Sequence, residues 1–184
     1  MSAESNPWET LGSRLIYENP WIGVREDQVL RPDGTPGIYG VIHFANLAVG
    51  VLPVDDQGRI WLVGQYRYPI DRYSWEIPEG GCLAGESAED AARRELREET
   101  GLFPESLECL GRSHLSNSVS NELAVIFRAT GLTQGPSSPE GSERLQVRRV
   151  EWPEAWAMLR SGEITDSMSV IALLHEAVRR GPAG

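Results

Sequence analysis

Gly80-Gly81-Cys82-Leu83-Ala84-Gly85-Glu86 runs into Ser87 through Arg93, and then into Arg94-Glu95-Leu96-Arg97-Glu98-Glu99-Thr100-Gly101-Leu102. A glycine-rich turn therefore feeds a helix whose last turns are loaded with carboxylates. Ser87 has the chemistry of an N-cap, with Asp90 at the third helical position. Ala88, Ala91, Ala92 and Leu96 recur at the spacing of a buried stripe, and small side chains there let a helix lie close to a sheet. Gly101 stands where a helix ends in a left-handed residue. Glu95, Glu98 and Glu99 project from one side of this helix, in a fan of about 100°. Like charges at this spacing repel, and acids near a helix C-terminus oppose its dipole, each at a cost of roughly a few tenths of a kcal/mol. Two readings follow. The three are a solvated acidic face, or they are hard oxygen ligands for Mg²⁺ or Mn²⁺, which would relieve the repulsion.

Outward from this stretch, towards the N-terminus, Tyr73 to Pro78 reads as a short strand entering the turn. Before it, Asn46 to Val54 is apolar nearly throughout, as in a strand buried on both faces. Asp55-Asp56-Gln57-Gly58 reads as a hairpin turn, with Arg59 to Tyr66 returning as the partner strand. Arg67 lies between Tyr66 and Tyr68, and is either a stacked structural cation or an anion contact facing a cleft. Gly12–Tyr17, Trp21–Leu30 and Ile38–Phe44 make a three-stranded meander over residues 1–45, too small to be stable without something to pack on.

Towards the C-terminus, Leu107–His114 and Glu122–Thr130 read as strands around a polar loop at 117–121. Residues 131–142 read as a long loop, of the kind that is often functional. Leu145–Trp152 reads as a strand and Pro153–Ser161 as a helix with proline at its start. Asp166 caps a last helix, Ser167–Arg180, with Ile171, Leu174, Ala177 and Val178 as its apolar stripe. Strands, helix, strands and helices in this order predict an α/β (α+β) chain: a mixed sheet sandwiched between helices, preceded by a small antiparallel meander.

The chain has 184 residues, 40% hydrophobic and 24% charged, with a formal net charge of −10. That charge argues against non-specific nucleic-acid or anionic-membrane binding. It also means that an anionic substrate needs a metal or a local basic spot. The two cysteines, Cys82 and Cys109, are too few for a disulfide scaffold and have no metal-ligand spacing, so a cytoplasmic location is expected. No apolar run approaches the length of a membrane span, and the N-terminus has no signal-like apolar region.

The opening stretch resembles the Nudix box, G-x5-E-x7-R-E-U-x-E-E-x-G-U with U aliphatic. The matches are Gly80, Glu86, Arg94, Glu95, Leu96, Glu98, Glu99, Gly101 and Leu102, every fixed position of the motif. The resemblance implies a Nudix fold and a metal-dependent attack of water on a diphosphate. It implies Glu95 and Glu99 as principal metal ligands, Glu98 as a third or water-mediated ligand, and the backbone carbonyl of Glu79 as a further one. By the same resemblance Arg94 pairs with a box carboxylate and orients it, and Glu86 braces the loop.

Gly64-Gln65-Tyr66-Arg67-Tyr68-Pro69, Glu76-Ile77-Pro78-Glu79-Gly80 and the tail around Gly162-Glu163-Ile164 are similar to the ADP-ribose and nucleotide-sugar pyrophosphatases. Arg67 would then contact substrate phosphates. Glu122 falls in a loop like the substrate loop of that family. Trp21 or Phe44 would stack on a base, unless each simply packs in the core. Glu143, with Glu140 second, would be the catalytic base or an additional ligand, unless each is a solvated loop acid. The implied division is a dimerising meander at 1–45 and a hydrolase domain at 46–184, in a homodimer. The implied substrate is ADP-ribose or a similar nucleoside diphosphate sugar. Ser118 stands where ADP-ribose enzymes often carry proline, which leaves GDP-mannose or a dinucleoside polyphosphate as alternatives. A non-catalytic nucleotide-binding module is a further alternative, although such modules usually lose box glutamates.

Overall fold

The computed structural model describes residues 5–135 and 144–181. The chain divides into two compact units, one reaching Asn46 and including His114–Glu122, the other formed by Leu47–Ser113 and the chain from Leu123 onward.

The first unit is built on strands β1 (Glu9–Glu18), β2 (Ile22–Leu30) and β3 (Pro36–Phe44), paired antiparallel in that order. The segment 114–122 is strapped to β3. Ile42 N–H donates to Val119 O at 2.8 Å, Phe44 N–H to Asn121 Oδ1 at 2.7 Å, and Tyr39 Oη–H to Ser118 O at 2.7 Å. Leu11, Leu15, Ile16, Tyr17, Trp21 and Ile38 are all more than half exposed. A three-stranded sheet this apolar on its surface needs cover to be stable alone.

The second unit contains two sheets. Strands β4 (Ala48–Pro53), β7 (Glu79–Gly81), β8 (Leu102–His114) and β9 (Leu123–Gln134) form one, in the order β7-β4-β9-β8. There β4 is antiparallel to β7 and parallel to β9, so the sheet is mixed. Strands β5 (Ile60–Arg67), β6 (Arg72–Glu76) and β10 (Gln146–Val150) form the other, in the order β10-β5-β6 and antiparallel. The turn at 55–58 is present, with Gly58 at φ 77° and Asp55 Oδ1 accepting from the Gln57 and Arg59 amides. It does not make β5 the hairpin partner of β4, as the sequence suggests. Both edges of β4 are taken by β7 and β9, so β5 crosses to the other sheet and keeps only a bridge between Val54 and Ile60.

Helix α1 (Ala88–Thr100) has the expected bounds. Ser87 Oγ accepts from Asp90 N–H at 3.1 Å, and Gly101, at φ 73°, donates to Arg97 O at 2.8 Å. Alternation along β4 decides what lies on each face. Val49 and Val51 meet Ala91, Ala92 and Leu96 of α1. Gly50, between them, faces Met168 of α3 (Ser167–Arg180), with Ile77 so near that a Cβ on residue 50 would sit 3.0 Å from it. The mixed sheet thus has a helix on each face. Helix α2 (Trp152–Ser161) packs on α3, its two tryptophans, Trp152 and Trp156, stacked at 5.8 Å.

The stripe expected on α3 is displaced. Its buried residues are Met168, Ser169, Ala172, Leu173 and Glu176, while Val178 is 83% exposed and Leu174 nearly half exposed. The cause is that two polar residues are satisfied inside. Glu176 is held by Arg128 at 2.8 Å and Arg180 at 2.7 Å, and Ser169 Oγ accepts from the Ile77 amide at 2.8 Å. Apolar periodicity cannot register a buried face that is partly polar. No helix among the described residues is long and apolar enough to cross a membrane.

Candidate active site

The site lies where the acidic side of α1 meets the turn into β7. Arg94 is its organiser. The guanidinium grips Glu86 with two parallel bonds of 2.9 Å, Nε to Oε1 and Nη2 to Oε2. Nη1 reaches Glu95 Oε1 at 2.7 Å and Glu98 Oε2 at 3.2 Å, and Nη2 also donates to Gly81 O at 2.8 Å. One cation therefore ties the glycine-rich turn to three carboxylates. Planar bidentate geometry of this kind is available to arginine and not to lysine. The Glu86 bond, first among several, raises Arg94 above the ordinary arginine value. Glu86 in turn is held below the usual carboxylate range by Arg94 and by the Leu83 amide, which donates at 2.9 Å.

Glycine at position 80 permits a close approach. A Cβ there would fall 2.2 Å from the carboxyl carbon of Glu95. The next backbone unit back touches the other main acid, since Glu79 N–H donates to Glu99 Oε2 at 3.1 Å. Glu99 is only 5% exposed. So the 79–80 backbone lies against Glu95 and Glu99 together.

Behind this turn is a second charged group. Arg67 donates from Nε to both oxygens of Glu76 at 3.0 Å, and from Nη2 to Glu79 Oε1 at 2.6 Å. Its partners are thus acids on β6 and β7 and not the flanking tyrosines. Burial opposes the charge of Arg67, but the bonds to Glu76 and the charges of Glu79 and Asp166 outweigh it and raise its pKa. Burial pushes the Glu79 carboxyl well up, and the charges of Asp166 and Glu76 add to the shift. Glu76, Asp166 and the side chain of Glu79 escape sequence reading, because Arg67 between two aromatics draws attention to stacking. The available signal was the pair of acids flanking Ile77-Pro78.

The other expected residues fall elsewhere. Trp21 is 70% exposed, which removes core packing as its role. Phe44 is half-buried and lines a cavity of about 350 Å³ with Leu15, Ile22, Arg25 and His43, all in the first unit. Glu122 is partly buried at the end of the 114–122 segment, its carbonyl accepting from Leu115 N–H at 3.3 Å. Glu140 and Glu143 lie outside the described residues.

Glu95, Glu98 and Glu99 offer hard oxygens beside a backbone turn, a donor set suited to Mg²⁺-like ions. Among the described residues no three acidic, histidine or cysteine side chains converge on one point at ligand distance. Arg94 explains why. Glu95 and Glu98 are turned to its guanidinium, where positive charge is already supplied.

A mixed sheet between helices, with a glycine turn and an arginine-organised carboxylate helix, defines a Nudix-type fold. A family model described as "NUDIX domain" matches residues 45–170, and one described as "Nucleoside diphosphate sugar hydrolase N-terminal domain" matches residues 8–42. The chain belongs to the Nudix family. It is 33% identical over 171 residues to an ADP-ribose pyrophosphatase of Mycobacterium tuberculosis, covering 91% of this chain and 82% of the relative. An ADP-ribose pyrophosphatase of Bacillus subtilis is 29% identical over 169 residues, 91% of each chain. A crystal structure of an ADP compounds hydrolase shares the fold, with a TM-score of 0.85 over 97% of this chain and 96% of that one, at 22% identity. Nudix hydrolases work with divalent cations.

Proposed function

We propose that this Nudix hydrolase cleaves the pyrophosphate bond of a nucleoside diphosphate sugar, ADP-ribose first among them, to a nucleoside monophosphate and a sugar phosphate. The observation that carries the reading is the meeting of Glu95 and Glu99 with the 79–80 backbone, in a chain that keeps every box position. The two ADP-ribose pyrophosphatases similar over nine-tenths of the chain support the substrate class, as does the N-terminal match.

Glu95, Glu98, Glu99 and the carbonyl of Glu79 would hold Mg²⁺ or Mn²⁺. When bound, the cation supplies positive charge against the diphosphate and lowers the cost of bringing a nucleophile to it. Arg94 holds Glu95 and Glu98 in place through Glu86 and the turn. Glu143 takes the proton of the attacking water, with Glu140 as the second candidate. Trp21 and Phe44 present aromatic surface for a base, and Glu122 offers an acceptor to the substrate. A second copy of the chain covers the apolar surface of the meander at 1–45, giving a homodimer of chains whose 46–184 domain carries the chemistry. Cys82 and Cys109, both free, suit the cytoplasm.

Ser118 favours a second reading, in which the substrate is GDP-mannose or a dinucleoside polyphosphate. The test is a panel of ADP-ribose, nucleotide sugars, dinucleoside polyphosphates and nucleoside triphosphates, with and without Mg²⁺, with products separated by chromatography. AMP and ribose 5-phosphate are the expected products. Preferred cleavage of GDP-mannose or a dinucleoside polyphosphate selects the second reading, and no Mg²⁺-dependent cleavage of any compound refutes both.

A further inference from the structure

Ser169 is a fully buried polar side chain, on the face that α3 otherwise fills with Met168, Ala172, Leu173 and Glu176. Its backbone is spent on the cap of the helix, since Ser169 N–H donates to Asp166 Oδ2 at 2.7 Å. Its hydroxyl is spent on another part of the chain, where Oγ accepts from the Ile77 amide at 2.8 Å. Ile77 is also fully buried. It lies past the last paired residue of β6, Glu76, and before the first of β7, Glu79. A buried amide outside both ladders needs a partner from elsewhere, and α3 supplies it.

The next two residues are held by other elements. The Pro78 carbonyl accepts from Val51 N–H of β4 at 2.8 Å, and the Glu79 amide donates to Glu99 Oε2 of α1 at 3.1 Å. Three elements thus hold three consecutive residues. The anchor on β4 is backbone, and the anchor on α1 is a proposed metal ligand. Ser169 is the side chain of this set that stands outside the proposed ligands. The linker is also stiff. Proline fixes φ at residue 78, and the residue before a proline is confined to extended conformations. Ile77 is wedged as well, since a Cβ on Gly50 of β4 would sit 3.0 Å from Ile77 Cδ1 and 3.5 Å from Met168 Cβ. A shift of the Ile77 amide therefore has few soft dihedrals in which to dissipate before it reaches Glu79.

We propose that Ser169 is a positioning residue for the divalent cation. By holding the Ile77 amide it sets where the Glu79 carbonyl stands beside Glu95 and Glu99, from a helix outside the proposed ligand set. This rests on the proposed function for the site, and the test separates the two.

Mn²⁺ binding is measured without substrate, by electron paramagnetic resonance of the free ion, for the parent protein, Ser169→Ala, Ser169→Cys and Leu173→Val. Ser169→Ala removes the acceptor and should weaken Mn²⁺ binding about 10-fold, the lower end of the loss typical when a ligand's supporting partner is removed. The Mg²⁺ concentration for half-maximal hydrolysis of ADP-ribose should rise by a similar factor, with KM for ADP-ribose at saturating Mg²⁺ within about threefold of the parent. Ser169→Cys is close in size but a weak acceptor, and should lose about threefold or more in Mn²⁺ affinity. It carries the test alone if Ser169→Ala does not fold. Leu173→Val, on the same buried face, deletes core contact and lowers the melting temperature, but should leave Mn²⁺ affinity within about twofold of the parent. Mn²⁺ affinity unchanged within about twofold in the folded Ser169 variants overturns the proposal. An equal loss in Leu173→Val also overturns it, because the effect would then be a general loosening of α3. A parent protein that cleaves nothing in the panel, yet binds Mn²⁺ and loses it in Ser169→Ala, refutes the proposed function and leaves the positioning role standing. A parent protein that binds no Mn²⁺ refutes both.

Discussion

Gly80→Ala separates the fold of this protein from its chemistry. The added Cβ would lie 2.2 Å from both the carboxyl carbon and Oε1 of Glu95, and 2.6 Å from Oε2, where ordinary contact begins at 3.4 Å. The carboxylate must therefore retreat by about 1 Å or more, and the 2.7 Å bond from Arg94 ends. Gly80 has no positive φ, so alanine strains nothing in the backbone. Arg94 keeps Glu86, and the displaced group is the far end of a flexible side chain. The cost to stability is then about one hydrogen bond to a charged group, roughly 1.5–3 kcal/mol at most. For a chain of this size that is a fall in melting temperature of about 3–12 °C. The cost to chemistry is larger, since a reacting geometry misplaced by about 1 Å loses on the order of 100-fold in rate. Differential scanning fluorimetry and Mg²⁺-dependent hydrolysis of ADP-ribose read the two effects separately. Activity within about threefold of the parent would refute the claim that the 80–95 contact sets the ligand's position. A melting temperature lower by about 15 °C or more would show that the backbone, and not the carboxylate, had yielded.

Glu99→Gln keeps the shape of a nearly buried side chain and an oxygen for the Glu79 amide, but removes its charge. It should fold, with hydrolysis reduced by about 100-fold or more and weaker Mn²⁺ binding by titration calorimetry; full activity would remove Glu99 from the ligand set. Glu86 is held below its ordinary value by Arg94, so the stability it contributes is present above the ordinary carboxylate value of 4.5 and lost as pH falls through its folded value. The melting temperature of the parent should therefore exceed that of Glu86→Gln at neutral pH, with the gap closing on acidification below 4.5. A gap that is constant with pH would contradict the Arg94 pairing.

What could be read from the sequence was what is local. The caps of α1 depend on Ser87 and Gly101 themselves, and the side from which Glu95, Glu98 and Glu99 project follows from helical spacing alone. Pairing between distant segments has no such signal. An apolar run such as 46–54 says that β4 is buried, not which strands take its edges, and so the hairpin turn at 55–58 points to β5 as its partner while β5 pairs with β6 and β10. The buried face of α3 was hidden by Glu176 and Ser169, whose polarity is cancelled by Arg128, Arg180 and the Ile77 amide from elsewhere in the chain. In the site, the box carboxylates were legible, while the partners of Arg67 were not, because Glu76 and Glu79 reach it only after β5 and β6 have paired.

The grip of Arg94 on Glu86, Glu95 and Glu98 bears on how the protein lives between encounters with its ion. A built-in counter-ion offsets part of the mutual repulsion that would otherwise loosen the C-terminal turns of α1, whose Leu96 is fully buried in the core. A divalent cation held by these carboxylates would then be a visitor and not a structural staple. Chelation should stop hydrolysis while the melting curve barely moves, and re-addition of the ion should restore the rate without a refolding delay. Availability of the metal could thus act as a throttle on an enzyme that remains folded throughout.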